Sequence, residues 1–352
     1  MSRFAIPQLP ASIFKAYDIR GIVDDTLTPD VVRAVGLGLG TLAREQGIKA
    51  IAVGRDGRLS GPTLSRALQE GIIATGVDAI DVGCVPTPVT YFAAFELETY
   101  SCVSVTGSHN PPDYNGLKMV IAGNTLAGDA IQSLKQRIET GDVYWADEPG
   151  AMRTADVRTA YLDKIVDDVK LSRPMTIAVD CGNGVAGELA PELFRRMGCD
   201  VIPLYCEIDG TFPNHHPDPS KPENLEDLIA ALKKTNAEIG LAFDGGGGTG
   251  WAAVPFMART ANVSVQPAQL WRKTGAALLP TVVVREVGEA RHRIIIEPPL
   301  ERPTGGGREA ELQAAMAAIV ARFSAWVARH PDHYLQFMGL RRRVRGTDVR
   351  PF

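Results

Sequence analysis

An α/β fold with largely parallel sheets flanked by helices is predicted by three features of this 352-residue sequence. Short apolar runs ending in polar, glycine-bearing turns recur at Ala50–Gly54, Ala79–Gly83 and Ser101–Val105. A helix-patterned stretch with proline in its first turn, Pro62–Thr75, separates the first two. A second set of the same kind follows an acidic connector near Asp147–Gly150: helical Tyr161–Val169, a strand at Met175–Asp180, a helix over Glu188–Met197 closed by Gly198, and a strand at Glu238–Asp244. Strands separated by helices pair in parallel with both faces covered. Their functional loops gather at the strands' carboxyl ends. The sequence therefore divides into a first domain at 1–150, a second at 151–254, and a remainder at 255–352.

Hydrophobic content of 45% and charged content of 22% belong to the soluble globular class. No apolar run reaches membrane-spanning length, and Met1-Ser2-Arg3-Phe4 lacks the apolar core of a signal peptide. A cytoplasmic protein without a membrane partner is expected. The five cysteines, Cys84, Cys102, Cys181, Cys199 and Cys206, show no metal-type spacing and read as buried reduced thiols. The net charge of −4 is uneven: Pro255–Phe352 holds 15 Lys+Arg and 8 Asp+Glu, a net of +7, against −11 before it. Those arginines are scattered among Gly, Ala and Pro with no recognition motif, so no nucleic-acid partner is expected.

The segment richest in chemistry is Thr106-Gly107-Ser108-His109-Asn110-Pro111-Pro112. It follows a strand and precedes two prolines that stop the loop from continuing as helix. A serine so placed is presented as a nucleophile or phosphate carrier, with an imidazole beside it. Gly107 and Asn110 favour backbone that aims N–H groups at an anion. The same residue types also make an ordinary Ser/His/Asn turn, and the heptapeptide by itself leaves both readings open. Asp113–Lys118 follows and carries a lysine back toward the loop. A serine hydrolase built on Ser108 and His109 is a weaker reading. Neighbours on strand-like backbone point apart, and no aspartate is placed to orient the imidazole. Asp180 reads as the cap of the Gly182-Asn183-Gly184 turn, with a role in a site as the alternative.

The run Thr106–Lys118 resembles the phosphoserine loop of the α-D-phosphohexomutases, the phosphoglucomutase and phosphomannomutase enzymes. Phe14–Gly21, Val53–Arg58, Val179–Gly184 and Asp209–Pro217 resemble the same family in the same order, so the resemblance covers about residues 12–245. It implies consecutive α/β domains with mixed, largely parallel sheets. It also implies interconversion of hexose 6-phosphate and hexose 1-phosphate of glucose or mannose, through phosphoserine and a 1,6-bisphosphate that acts as activator. Ser108 would carry the phosphate. Arg20 and Lys118 would neutralise its charge, Lys118 serving as acid/base if burial lowers its pKa. His109 would bond phosphate oxygens or the moving proton, while Tyr17 and Asn110 would contact substrate. For Arg20 the alternative is a surface ion pair with Asp18 or Asp24. Ser108 and Asp244 would ligate Mg²⁺, and a monomer acting on small sugar phosphates is expected.

The resemblance fails at Asp244-Gly245-Gly246-Gly247-Gly248-Thr249. The family carries Asp-Gly-Asp-Gly-Asp-Arg there, so Gly246 and Gly248 stand where two metal-binding carboxylates belong. Losing partners of the ligands alone costs roughly 10–100-fold, so losing two ligands should cost on the order of 10²–10⁴. A catalytically inactive sugar-phosphate-binding fragment is accordingly the alternative to an impaired mutase. Codons chosen for Gly248–Ala252 yield Asp-Arg-Leu-Gly in a displaced frame, the family's own continuation. The remainder at 255–352 is thus read as an aberrant, frame-shifted tail, with a true Gly-rich phosphate loop as the rival. Glu309–Arg329 keeps helical spacing, and Pro298, Pro299 and Pro303 imply irregular backbone before it.

Overall fold

The computed structural model describes residues 3–171, 173–219, 221–243, 251–256, 259–264, 281–285, 292–301 and 307–329. Its contacts divide the chain into two compact units. Nearly all of residues 1–245 form the first, while 246–352 with two short segments, 167–171 and 219–225, form the second.

In the first unit a seven-stranded sheet is ordered β1-β5-β4-β2-β3-β7, with β6 paired to β5. The strands are β1 (Ile19–Ile22), β2 (Ala50–Arg55), β3 (Asp78–Cys84), β4 (Cys102–Val105), β5 (Tyr114–Ile121), β6 (Asn124–Thr125) and β7 (Met152–Thr154). The pairs among β4, β2, β3 and β7 are parallel, as the alternation with helices predicts. β5 runs antiparallel to β4 and to β1, because a short loop rather than a helix returns the chain after Pro112.

Both faces are covered. Ile51, Val53, Val103 and Val105 pack against α1 (Pro29–Glu45), α2 (Gly61–Ile73) and α4 (Asp129–Thr140), whereas Ala52 and Cys102 face the cluster holding α3 (Thr87–Glu96). So α2 crosses from β2 to β3 on one face and α3 crosses from β3 to β4 on the other. The connection reverses between β2 and β4, and crevices at such reversals are where open α/β sheets bind ligands.

α1 starts at Thr28, whose hydroxyl accepts from Val31 N–H at 3.3 Å, with Pro29 at the first helical position. Its Gly36 faces Leu68 O, only 2.2 Å from where a Cβ would sit, and Gly71 of α2 faces Arg33 O at 2.0 Å. The two helices touch backbone to backbone. Gly71→Ala is therefore expected to lower the thermal unfolding midpoint by the equivalent of about 1–3 kcal/mol. An unchanged midpoint by circular dichroism would mean the helices are not so close.

A second, three-stranded parallel sheet has the order β10-β8-β9. It comprises β8 (Thr176–Asp180), β9 (Asp200–Leu204) and β10 (Ile239–Ala242), with α5 (Arg158–Asp168), α6 (Leu189–Arg196) and α7 (Glu226–Lys234). α6 ends as expected at Gly198, whose φ of 88° suits glycine. In the second unit two antiparallel hairpins pair Trp251–Phe256 with Arg259–Ser264 and Thr281–Arg285 with His292–Ile296. A helix spans Gly307–Arg329, covering the stretch read as helical, and its Arg322 and Trp326 both reach the Glu297 carboxylate at 2.6 Å. Among the described residues no helix is long and apolar enough to cross a membrane.

Candidate active site

The serine loop leaves β4 at the point where the sheet's connection reverses. Ser108 has a φ of 51°, left-handed backbone that a non-glycine residue adopts at a cost of about 1–3 kcal/mol. Its N–H donates to Thr106 Oγ1 at 3.0 Å. The turn brings Ser108 Oγ to 3.5 Å from His109 Nδ1. Adjacent side chains on strand backbone would point apart; the left-handed turn is what lets these two approach. Asn110 donates from its backbone N–H and from Nδ2 to Gly107 O, each at 3.1 Å, so it closes the loop.

Arg58, from the loop after β2, sits inside this turn and is 2% exposed. Its Nη1 donates to Pro111 O at 2.5 Å and Tyr114 O at 3.0 Å. Its Nη2 donates to Ser108 O at 2.9 Å and Asn110 O at 2.6 Å. Asp56 braces both partners: its Oδ2 accepts from Gly107 N–H at 2.9 Å and lies 3.4 Å from Arg58 Nε. A Cβ on Gly107 would fall 1.9 Å from Arg58 Nε, so this position takes only glycine.

Arg20, on β1 opposite Gly116, pairs with Asp18 at 2.5 Å, as the ion-pair reading had it. The pair is not at the surface, however, its side chains being 11% and 19% exposed, and Nη1 also donates to Gly107 O at 2.6 Å. Lys118 lies on β5 across from Ser104 and lines one cavity of about 500 Å³ with Ser108 and Asp56. Tyr161, Leu189 and Phe194 form an apolar wall of the same cavity. Tyr17 is 60% exposed on the turn before β1 and is not among the lining residues.

A strap at 209–217, after β9, reaches this loop. His216 Nε2 donates to His109 O at 2.5 Å, and Phe212 lies with its ring centroid 5.4 Å from Arg58. Asp180 caps its turn through Gly182 N–H at 2.9 Å and also holds His215 Nε2 at 3.1 Å. Burial pushes the Asp180 carboxyl above the ordinary range, against the pull of these partners. Arg58, Asp56, Phe212 and His216 fall within the motifs Val53–Arg58 and Asp209–Pro217 without being singled out by them. The signal that could have found the first two is the density of charge in Arg55-Asp56-Gly57-Arg58, directly at a strand's end.

Of the metal ligands implied, Asp244 lies outside the described residues, as do Gly246 and Gly248. Among the described residues no group of three or more His, Cys, Asp or Glu is placed to hold a metal ion. Mg²⁺ takes oxygen ligands in octahedral geometry, and glycine offers no side-chain oxygen. The donor set does not fit the three-carboxylate site that the resemblance implies.

Two family models match most of the first unit. Residues 11–145 match the family model for phosphoglucomutase/phosphomannomutase α/β/α domain I, and residues 159–253 match that for domain II. Residues 11–253 of this chain belong to the phosphoglucomutase/phosphomannomutase family. A phosphomannomutase/phosphoglucomutase of Pseudomonas aeruginosa is 56% identical over 247 residues, 70% of this chain and 53% of that protein. A phosphoglucomutase of Neisseria gonorrhoeae is 56% identical over 233 residues, 66% of this chain and 51% of that protein. The solved structure of a phosphoglucomutase/phosphomannomutase family protein from Burkholderia thailandensis superposes with a TM-score of 0.65 at 45% identity, covering 77% of this chain and 61% of that one. The chain thus spans about half the length of the curated relatives it matches. A third family model, bacterial lipid A biosynthesis acyltransferase, matches residues 218–343.

Proposed function

We propose that Ser108 stores and returns a phosphoryl group on hexose phosphates, interconverting the 6- and 1-phosphates of glucose or mannose. The observation that carries this reading is the preset serine loop. Ser108 is held in left-handed backbone by Arg58, Asp56 and Arg20, with His109 at its hydroxyl and Lys118 in the same cavity. A loop fixed in advance loses little entropy when substrate arrives. In the transfer from a hexose 1,6-bisphosphate, the bond from phosphorus to a sugar oxygen breaks as one to Ser108 Oγ forms. The Ser108 proton passes toward His109 Nδ1, and Lys118 is the candidate donor to the departing sugar oxygen. The second half-reaction reverses these roles at the other hydroxyl. The chain is taken to work as a cytoplasmic monomer.

Gly246 and Gly248 favour a second reading, a fragment that binds sugar phosphates without turnover. Assays with glucose 1-phosphate and mannose 1-phosphate, Mg²⁺ and a trace of bisphosphate separate the two. Turnover on the order of 10²–10⁴-fold below that of a relative with all three carboxylates is expected. Binding with no turnover leaves the fragment, and no phosphate adduct by intact mass removes the mutase.

The second unit is proposed to be a separate module joined near Gly246. A product translated out of frame has no reason to resemble a second protein family, so the acyltransferase likeness over residues 218–343 favours genuine coding sequence past the junction. Sequencing the DNA through this stretch tests it, since a single-base slip there would restore the displaced-frame reading.

A further inference from the structure

The sequence offers five unremarkable thiols; the fold brings two of them together. Cys181 follows β8 and Cys206 follows β9, neighbouring parallel strands in which Asp180 pairs with Leu204. Cys181 N–H donates to Leu204 O at 3.0 Å. Tyr205, in left-handed backbone with φ of 50°, turns the chain there, and Cys206 Sγ comes to 3.4 Å from Cys181 Sγ. A disulfide needs about 2.05 Å, so closure asks for a shift of little more than an ångström at the mouths of two loops. Cys181 is 1% exposed and borders the cavity that holds Ser108, while Cys206 is half-buried.

We propose that Cys181 and Cys206 form a dithiol modification site, oxidised to an intramolecular disulfide by small disulfides of the glutathione type. The step balances. Cys206 thiolate attacks one sulfur of glutathione disulfide and expels one glutathione thiolate, leaving a mixed disulfide. Cys181 then attacks the Cys206 sulfur and expels the second glutathione, whose departing thiolate takes up the Cys181 proton. Two protein thiols are oxidised and one glutathione disulfide is reduced to two thiols. The entering thiol is Cys206 on grounds of access, and the Cys181 hydrogen bond holds it below the ordinary thiol value. Burial raises Cys84 and Cys102, the latter to about 12, and Cys181 is raised as well, by its bond to Cys206 and by burial. The second attack therefore rests on the 3.4 Å separation of the two sulfurs rather than on acidity. The site lies wholly in the first unit and stands independently of any mutase activity.

The test uses the full native chain, reduced, then exposed to oxidised glutathione, acid-quenched, alkylated and mapped by mass spectrometry. The expected product is a Cys181–Cys206 cross-link with the loss of two free thiols and no retained glutathione. It should form about tenfold or more faster in native than in guanidinium-unfolded protein, because the fold supplies the effective concentration. Cys181→Ser should instead retain glutathione on Cys206. A glutathione adduct persisting on wild-type Cys206, or equal rates in native and unfolded protein, overturns the proposal. The rate comparison needs no variant and so holds even if Cys181→Ser misfolds.

Discussion

Ser108→Ala is expected to abolish phosphate uptake from hexose 1,6-bisphosphate and with it all turnover of glucose and mannose phosphates. The methyl group leaves no oxygen to accept phosphorus, and His109 cannot substitute without rebuilding the loop that Arg58 fixes. Stability should barely change, because Ser108 is half-buried and its hydroxyl has one long contact, at 3.5 Å to His109. Ser108→Gly makes the case sharper. It should be as inactive as the alanine variant yet unfold at a higher temperature, by roughly 1 kcal/mol, since glycine adopts a φ of 51° without the cost serine bears. Intact-mass labelling and thermal unfolding of the three proteins read both effects. Labelling that survives in Ser108→Ala would place the phosphate on another residue and end the proposed chemistry.

Much of the first unit was legible because its signals are local. The strands at Ala50, Ala79, Ser101 and Met175 are short apolar runs stopped by turn residues, and each appears within about one residue of its reading. α1 gives no such signal. Gly36, Gly38 and Gly40 weaken helix propensity across its middle, and only the close approach of α2 to Gly36 and Gly40 and of α4 to Gly38 shows why glycine belongs there. β5 likewise gives no strand signal after two prolines, although its antiparallel return is what sets Lys118 across from Ser104. In the site, Ser108, His109 and Asn110 were visible as neighbours in sequence. The group that shapes them was not, because Arg58 acts on carbonyls some fifty residues later and the sequence shows no contact between them. His216 is further away still, 107 residues from the His109 carbonyl it bonds. The thiol pair was missed for the same reason: 25 residues separate sulfurs that only the parallel register of β8 and β9 brings together.

Arg58→Ala should produce the largest loss of stability in the first unit. Removing the guanidinium takes the donor from the carbonyls of Ser108, Asn110, Pro111 and Tyr114 at once, and leaves the Asp56 carboxylate without its cationic partner. Breaking a buried charge pair typically costs about 3–5 kcal/mol, and each stranded polar group adds to that loss. Arg58→Lys would keep the charge, but a single ammonium has three donors on one atom and cannot span four carbonyls as the planar guanidinium does. It should therefore fold, with an unfolding midpoint between those of wild type and alanine. Its rate of phosphate uptake should fall about 10²-fold, the scale of a misplacement near 1 Å at a reacting group. That separation matters, because a purely structural arginine would let the lysine protein label at the wild-type rate once folded. Equal labelling rates in folded Arg58→Lys and wild type would show that the loop holds Ser108 by itself. A reduced rate at unchanged affinity for the bisphosphate would place the aim of the hydroxyl in the guanidinium behind it.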